Sequence, residues 1–273
     1  MNEPEQLNPF ESPGPITASL AEDSASAANP ACPPWGFWFT LLWSLIGAVL
    51  FIGAQVVVLL VSAAVKAALD PTIDWEQWIA QAESDGQFIA AAALVGGAIV
   101  SGYLFVIVYA RGCPVRPYLG LIPVRPWQAV QSIVLLLLLM AVMDGMTYLA
   151  DRPIVPEWRE AALRSAGSFL PLLLVAVTVA APVSEELFFR GFLYRGLAES
   201  RLRPMGAILI TSAIWASIHL QYDAISVVGI FAMGIFLGVV RQWTGSTTLT
   251  IALHAINNAV AMVQALVKVE YLS

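Results

Sequence analysis

Seven stretches of this chain are apolar, almost free of charge and near the length of a membrane crossing, and their recurrence restricts its architecture more than anything else. With roughly 20 residues per crossing as the guide, spans fall at about 37–65, 88–110, 127–149, 168–190, 205–221, 225–240 and 247–267. The expected fold class is all-α: a polytopic membrane helical bundle with seven transmembrane helices, eight being the alternative. Only 12 % of the 273 residues are charged, against about 25 % in soluble domains. The chain divides into an acidic tail at 1–34, an N-terminal transmembrane region at 35–165 and a core at 168–267. The tail holds five acids and no Lys or Arg, and its Pro, Ser and Ala content predicts disorder on the cytoplasmic side. Pro71 to Gln87, with Trp75 and Trp78 among acids, reads as a helix at the interface.

Lys and Arg set the expected orientation. The inner segments hold Arg111, Arg116, Arg125, Arg190, Arg195, Arg201, Arg203 and Arg241, eight in all, against five outside, which favours a cytoplasmic N-terminus. No basic face for nucleic acid is visible, and no glycine-rich phosphate loop. Cys32 and Cys113 have no Cys or His neighbour at metal-ligand spacing and read as bystanders. Gly234 and Gly238, four apart, have the small-residue spacing of close helix packing.

Chemistry concentrates at Ser184 to Arg195. Glu185 and Glu186 end a charge-free run from Phe169 to Val183, where an ionised carboxylate costs roughly 2.5 to 3.5 kcal/mol on insertion scales. Such a pair needs partners or a task. Arg190 lies four residues beyond Glu186, the favourable helical order, so Glu186 is the expected partner of Arg190 and Glu185 is left without a local cation. The two histidines of the chain, His219 and His254, both fall in the last three apolar runs; Trp215 precedes His219 by one turn and Asn258 follows His254 by one turn. Asp144, inside the third span, is expected to pair inward. Tyr222 and Asp223 read as a short exposed turn.

A depth count tests whether these residues meet. If the helix through Glu185 runs on to Leu202 and breaks at Arg203-Pro204, Glu185 and His219 lie roughly 22 to 27 Å along antiparallel helices. His254 and Asn258 come out roughly 15 to 21 Å beyond a turn at Trp243 to Gly245. The groups are nearly level, and the hairpin carrying Arg190, Arg195, Arg201 and Arg203 projects into the cytoplasm. One or two Glu, two His and an Asn in an apolar bundle are equipment for activating water. A partly desolvated carboxylate suits a general base, which puts Glu185 forward; His219 holds the same water, and His254 with the Asn258 amide supplies donors to an oxyanion. Trp215 reads as a packing wall beside them.

These residues carry a resemblance. E-E-L-F-F-R fits the E-E-x-x-x-R motif, and H-A-I-N-N the H-x-x-x-N/D motif, of the CAAX prenyl protease and bacteriocin-processing family of intramembrane glutamate proteases, the type II CAAX endopeptidases. W-A-S-I-H resembles the middle motif F-x-x-x-H, with Trp215 in place of Phe. The likeness covers roughly 168–267 and implies a membrane endopeptidase in which Glu185 and His219 activate water while His254 and Asn258 form the oxyanion site. Glu186, Arg190 and Trp215 support them. The substrate is then a membrane-embedded or lipidated peptide or protein, the lipid bilayer is a further partner, nucleic acid is not, and no cofactor is expected. A zinc site through Glu185, His219 and His254 is the alternative mechanism; a transporter or a non-catalytic scaffold is the alternative function. No G-x-S-x-G or H-E-x-x-H is present. Short loops and compact size point to a bacterial inner membrane.

Overall fold

The computed structural model describes residues 32–219 and 221–271, so almost all of the tail at 1–34 lies outside the described residues. The chain divides into two units, Met1–Pro33 and Pro34–Ser273. The described residues of the second unit form helices joined by short connections, without strands.

Helix α1, Phe37–Leu69, is followed by the short α2, Trp75–Gln81, and by α3, Gly86–Ala110. Asp74 caps α2 by accepting from the Gln77 amide, and Asp85 caps α3 by accepting from Gln87 and Phe88; each satisfies amides that the first turn leaves open. α2 stacks Trp75 against Trp78 at 5.8 Å in the segment expected at the interface. A short turn of helix, α4 at Val115–Tyr118, leads to α5, Pro126–Leu149, with proline at its start where no amide partner is needed. The amphipathic α6, Glu157–Ala166, then precedes α7, which runs over 170–198. After a turn come α8, Arg203–Ser217, α9, Ala224–Thr244, and α10, Thr247–Tyr271.

Six of these helices are long and apolar enough to cross a membrane by length and composition: α1, α3, α5, the joined α6–α7 segment, α9 and α10. The span expected at 205–221 is instead the 15-residue α8, shorter than a crossing requires. Outward faces are apolar, as at Leu45, Ile52, Leu60, Val134 and Leu138, an inversion of the water-soluble pattern that suits hydrocarbon. An all-α polytopic membrane bundle results.

The turn expected at Arg203-Pro204 is present, although α7 ends at Ala198, short of Leu202; Arg203 takes φ +56° and Pro204 lies in the first turn of α8. Helix α7 does not project as a free hairpin. Phe189, Phe192, Leu193, Tyr194 and Leu197 are buried, Arg190 is 1 % exposed and Arg241 is also buried. Arg241 donates to the Arg190 carbonyl and to Thr247 Oγ1, which ties the end of α9 to α7 and α10. A cation with enough internal acceptors is indistinguishable by composition from one in a loop. With Arg190 and Arg241 inside the bundle and the span expected at 205–221 too short to cross, the count of eight inner basic residues against five no longer holds. Neither cysteine is a free thiol, so neither is a bystander in that sense.

Close contacts need small residues. Cβ atoms on Gly234 and Gly238 of α9 would stand 2.8 Å and 2.9 Å from Ser212 and Ile208 of α8, the tight crossing their spacing suggests. At the start of α3, Gly86 donates to Ser165 Oγ, and a Cβ there would meet the Ala162 carbonyl oxygen at 2.1 Å. Gly86→Ala is therefore expected to lower stability by about 1 to 3 kcal/mol as α6 is pushed off α3. Gly145→Ala, with nothing within 4 Å of the added carbon, should leave it unchanged or raise it by up to about 1 kcal/mol. Unfolding midpoints in detergent, measured by circular dichroism, compare the two.

Candidate active site

Helix α7 is irregular where the acidic motif lies. α-Helical turns at Leu170–Val175, Ala181–Glu186 and Tyr194–Ala198 alternate with wider π-helical segments at Ala176–Ala180 and Leu187–Leu193. Such bulges are rare and gather at functional sites. Between them, Glu185 and Glu186 point about 100° apart, as consecutive helical residues must.

Glu186 turns into the bundle and is fully buried. Its Oε1 lies 2.8 Å from Arg190 Nη1 and 3.1 Å from His254 Nδ1 on α10. Arg190 Nη2 also donates to the Gly234 carbonyl at 3.1 Å. One carboxylate thus joins α7 to α10, and its guanidinium partner joins α7 to α9.

Glu185 turns toward α8. Its Oε2 accepts from Trp215 Nε1 at 2.6 Å. The Trp215 ring meets His219 edge-on at 5.2 Å and His254 edge-on at 5.3 Å, with the Arg190 guanidinium 4.7 Å from its centre. His219 does not lie on α8 as expected from its spacing to Trp215: the helix stops at Ser217, and the His219 Nδ1 bonds the Trp215 carbonyl at 2.7 Å, closing the last turn from outside. A carbonyl only accepts, so Nδ1 carries the proton, and in the neutral tautomer that this selects the lone pair is on Nε2.

Asn258 donates from Nδ2 to the carbonyl of Val177, in the first π segment, at 2.9 Å, and its oxygen accepts from Asn257 at 3.1 Å. Glu185, Trp215, His219, His254 and Asn258 all line one cavity of about 670 Å³. The structure thereby gathers the four residues expected to do chemistry, with Glu186 and Arg190 behind them. Asp144 reaches the same cavity and accepts from Gln264 at 2.8 Å, so it pairs inward and lines the cavity at once. The turn after His219 is not simply exposed: Tyr222 packs edge-on against Trp158 at 5.3 Å and accepts from Arg159 at 3.0 Å. Asn257, Gln264, Arg159 and Tyr222 are members of the site that sequence reasoning misses. For Asn257 the adjacent amide in H-A-I-N-N is the available signal, whereas the other three meet partners distant in sequence.

Among the described residues no three His, Cys, Asp or Glu side chains are grouped so as to hold a metal ion. Glu185 is engaged by Trp215, His254 presents Nδ1 to Glu186, and the indole stands against both imidazoles.

Fold and site together define a polytopic helical membrane protein with a carboxylate, imidazole and amide set along an open cavity. Residues 167–260, about a third of the chain, match the family described as type II CAAX prenyl endopeptidase Rce1-like. This is the family that the three motifs resemble, and the matched segment holds every one of their residues. The likeness is to a family of CAAX-type membrane endopeptidases and covers that segment alone. No curated protein and no solved structure gives a match.

The buried pair yields a test of its own. Arg190→Met strands the Glu186 carboxylate, which is 0 % exposed, and is expected to cost about 3 to 5 kcal/mol. The double variant Glu186→Leu, Arg190→Met removes both charges and should lose much less than the sum of the single changes. Unfolding of all three variants in mixed micelles measures the difference.

Proposed function

We propose that this protein is an intramembrane endopeptidase that cleaves a membrane-embedded or lipidated peptide or protein with a water activated by Glu185 and His219. The observation that carries the reading is the convergence of Glu185, His219, His254 and Asn258 on one cavity.

The chemistry depends on which atoms are free. Glu185 has Oε2 on the indole and Oε1 left to take a proton from water. His219 has Nδ1–H on a backbone carbonyl and Nε2 left to accept from the same water. As the water oxygen bonds to the peptide carbonyl carbon, the carbonyl oxygen becomes an oxyanion and needs donors. Asn258 has one N–H on Val177 and a second for the substrate. His254 directs Nδ1–H to Glu186, which fixes the ring beside the cavity, and donation from Nε2 to the oxyanion requires a ring protonated on both nitrogens. The proton held by Glu185 then passes to the leaving nitrogen as the C–N bond breaks. Glu186 and Arg190 touch no substrate in this scheme and act by holding His254 and Trp215.

The same reading includes a bacterial inner membrane and a cytoplasmic N-terminus. A prenyl group is one form of lipid that such a substrate could carry, and cleavage itself does not require it.

The test is cleavage of a library of short lipidated and transmembrane peptides by purified protein in detergent. Glu185→Gln and His219→Ala should abolish cleavage while the helical content and unfolding midpoint stay at wild type. Asn258→Ala should lower kcat by about 10² to 10³, as loss of one oxyanion donor does. Cleavage retained by Glu185→Gln would sink the mechanism, and activity abolished by chelators and restored by stoichiometric zinc would replace it with metal-assisted hydrolysis.

A further inference from the structure

We propose that Trp215 is a positioning residue, whose indole N–H fixes the Glu185 carboxylate for work on water; this rests on the reading of Glu185 as the base. A wall of the cavity needs only the shape of an indole. Trp215 has more than shape: Nε1 stands 2.6 Å from Glu185 Oε2, and the side chain is 3 % exposed.

The indole is itself held from several directions. The Arg190 guanidinium lies 4.7 Å from the ring centre, and the His219 and His254 imidazoles contact it edge-on at 5.2 Å and 5.3 Å. The Trp215 carbonyl also receives the His219 Nδ1–H, so one residue sets the carboxylate by its side chain and the imidazole by its backbone. Glu185, by contrast, sits on the cavity wall with three rotatable bonds and, among the described residues, no ion-pair partner within 4 Å. Freed of the indole, its carboxylate would swing through the cavity and spend only part of its time facing the water site. A donor to an ionised acceptor is among the stronger hydrogen bonds, and by occupying Oε2 it assigns Oε1 to the water. The indole N–H donates and never accepts, so it takes no proton from Glu185 and does no acid–base work. That is why positioning, and not catalysis, describes it.

Two replacements separate the N–H from the ring. Trp215→Phe keeps an aromatic ring between the imidazoles and deletes the donor. Replacement of Trp215 by the benzothiophene analogue of tryptophan, introduced by nonsense suppression, keeps the bicyclic outline and deletes the donor alone. Both should lower kcat by about 10- to 100-fold, the worth of one hydrogen bond to a charged group, with KM unchanged; Trp215→Phe also lowers the unfolding midpoint through the volume it removes, whereas the benzothiophene variant keeps that volume. Wild-type kcat in the benzothiophene variant would overturn the proposal whatever Trp215→Phe does, because the outline alone would then suffice.

A second readout needs no turnover. In protein labelled with ¹⁵N at the indoles of its nine tryptophans, Trp215→Phe identifies one resonance by its loss. Glu185→Gln should move that resonance upfield as the charged acceptor becomes neutral, and an unmoved resonance would show that the bond does not form. Full activity in Glu185→Gln would instead remove the base reading itself. An inactive Glu185→Gln beside fully active Trp215 variants would remove only the proposal made for Trp215.

Discussion

The buried contact between Glu186 and Arg190 is what the rest of the site depends on. Both side chains are almost wholly removed from solvent, where an unpartnered charge would be very costly. The pair is tolerable because its geometry is extended on both sides: Glu186 reaches His254 on α10, and Arg190 reaches the Gly234 carbonyl on α9 and the face of Trp215 on α8. Four helices are thereby brought into register by one carboxylate and one guanidinium. The packing of Gly234 and Gly238 against Ser212 and Ile208 lets α9 come near enough to α8 for that register to close.

Two adjacent acids reach two different environments because a helix turns by about 100° per residue. Glu186 faces the packed centre and Glu185 faces the cavity, so one pairs with Arg190 and His254 while the other lies on the cavity wall against Trp215. The widened segments on either side of this pair adjust how α7 meets its neighbours, and the first contains Val177, whose carbonyl takes the Asn258 amide. The irregularity of α7 and the placement of Asn258 are thus one feature of the fold.

Much of this is legible in the sequence. The division of labour between Glu185 and Glu186 comes from Arg190 standing four residues beyond one of them, and their approach to His219 and His254 comes from counting residues back from the breaks near Pro204 and Gly245. Residue counts translate into depth because the helical rise is nearly constant. Other features leave no trace in a single sequence. The run from Ala176 to Ala180 is as apolar where it widens as where it does not, so periodicity is blind to the bulge. Trp215 reads as packing because helical spacing reports the face of a residue and not the direction of its N–H. Arg190 and Arg241 count as loop charges by composition because their acceptors, a Glu, a Thr hydroxyl and backbone carbonyls, belong to three different helices.

The shortness of α8 bears on how a hydrolase in lipid is supplied with its second reactant. Fifteen residues rise about 22 Å, whereas the hydrocarbon layer is about 30 Å deep. One end of α8 must therefore stand below the level of the surrounding lipid headgroups, and polar backbone cannot remain there dry. The bilayer thins to meet that end, solvent descends to it, or neighbouring helices cover it, and in the first two cases the hydrated boundary dips beside the helix. Because the C-terminal turn of α8 is the one closed by His219, a dip on that side would deliver water to the imidazole that is placed to receive it.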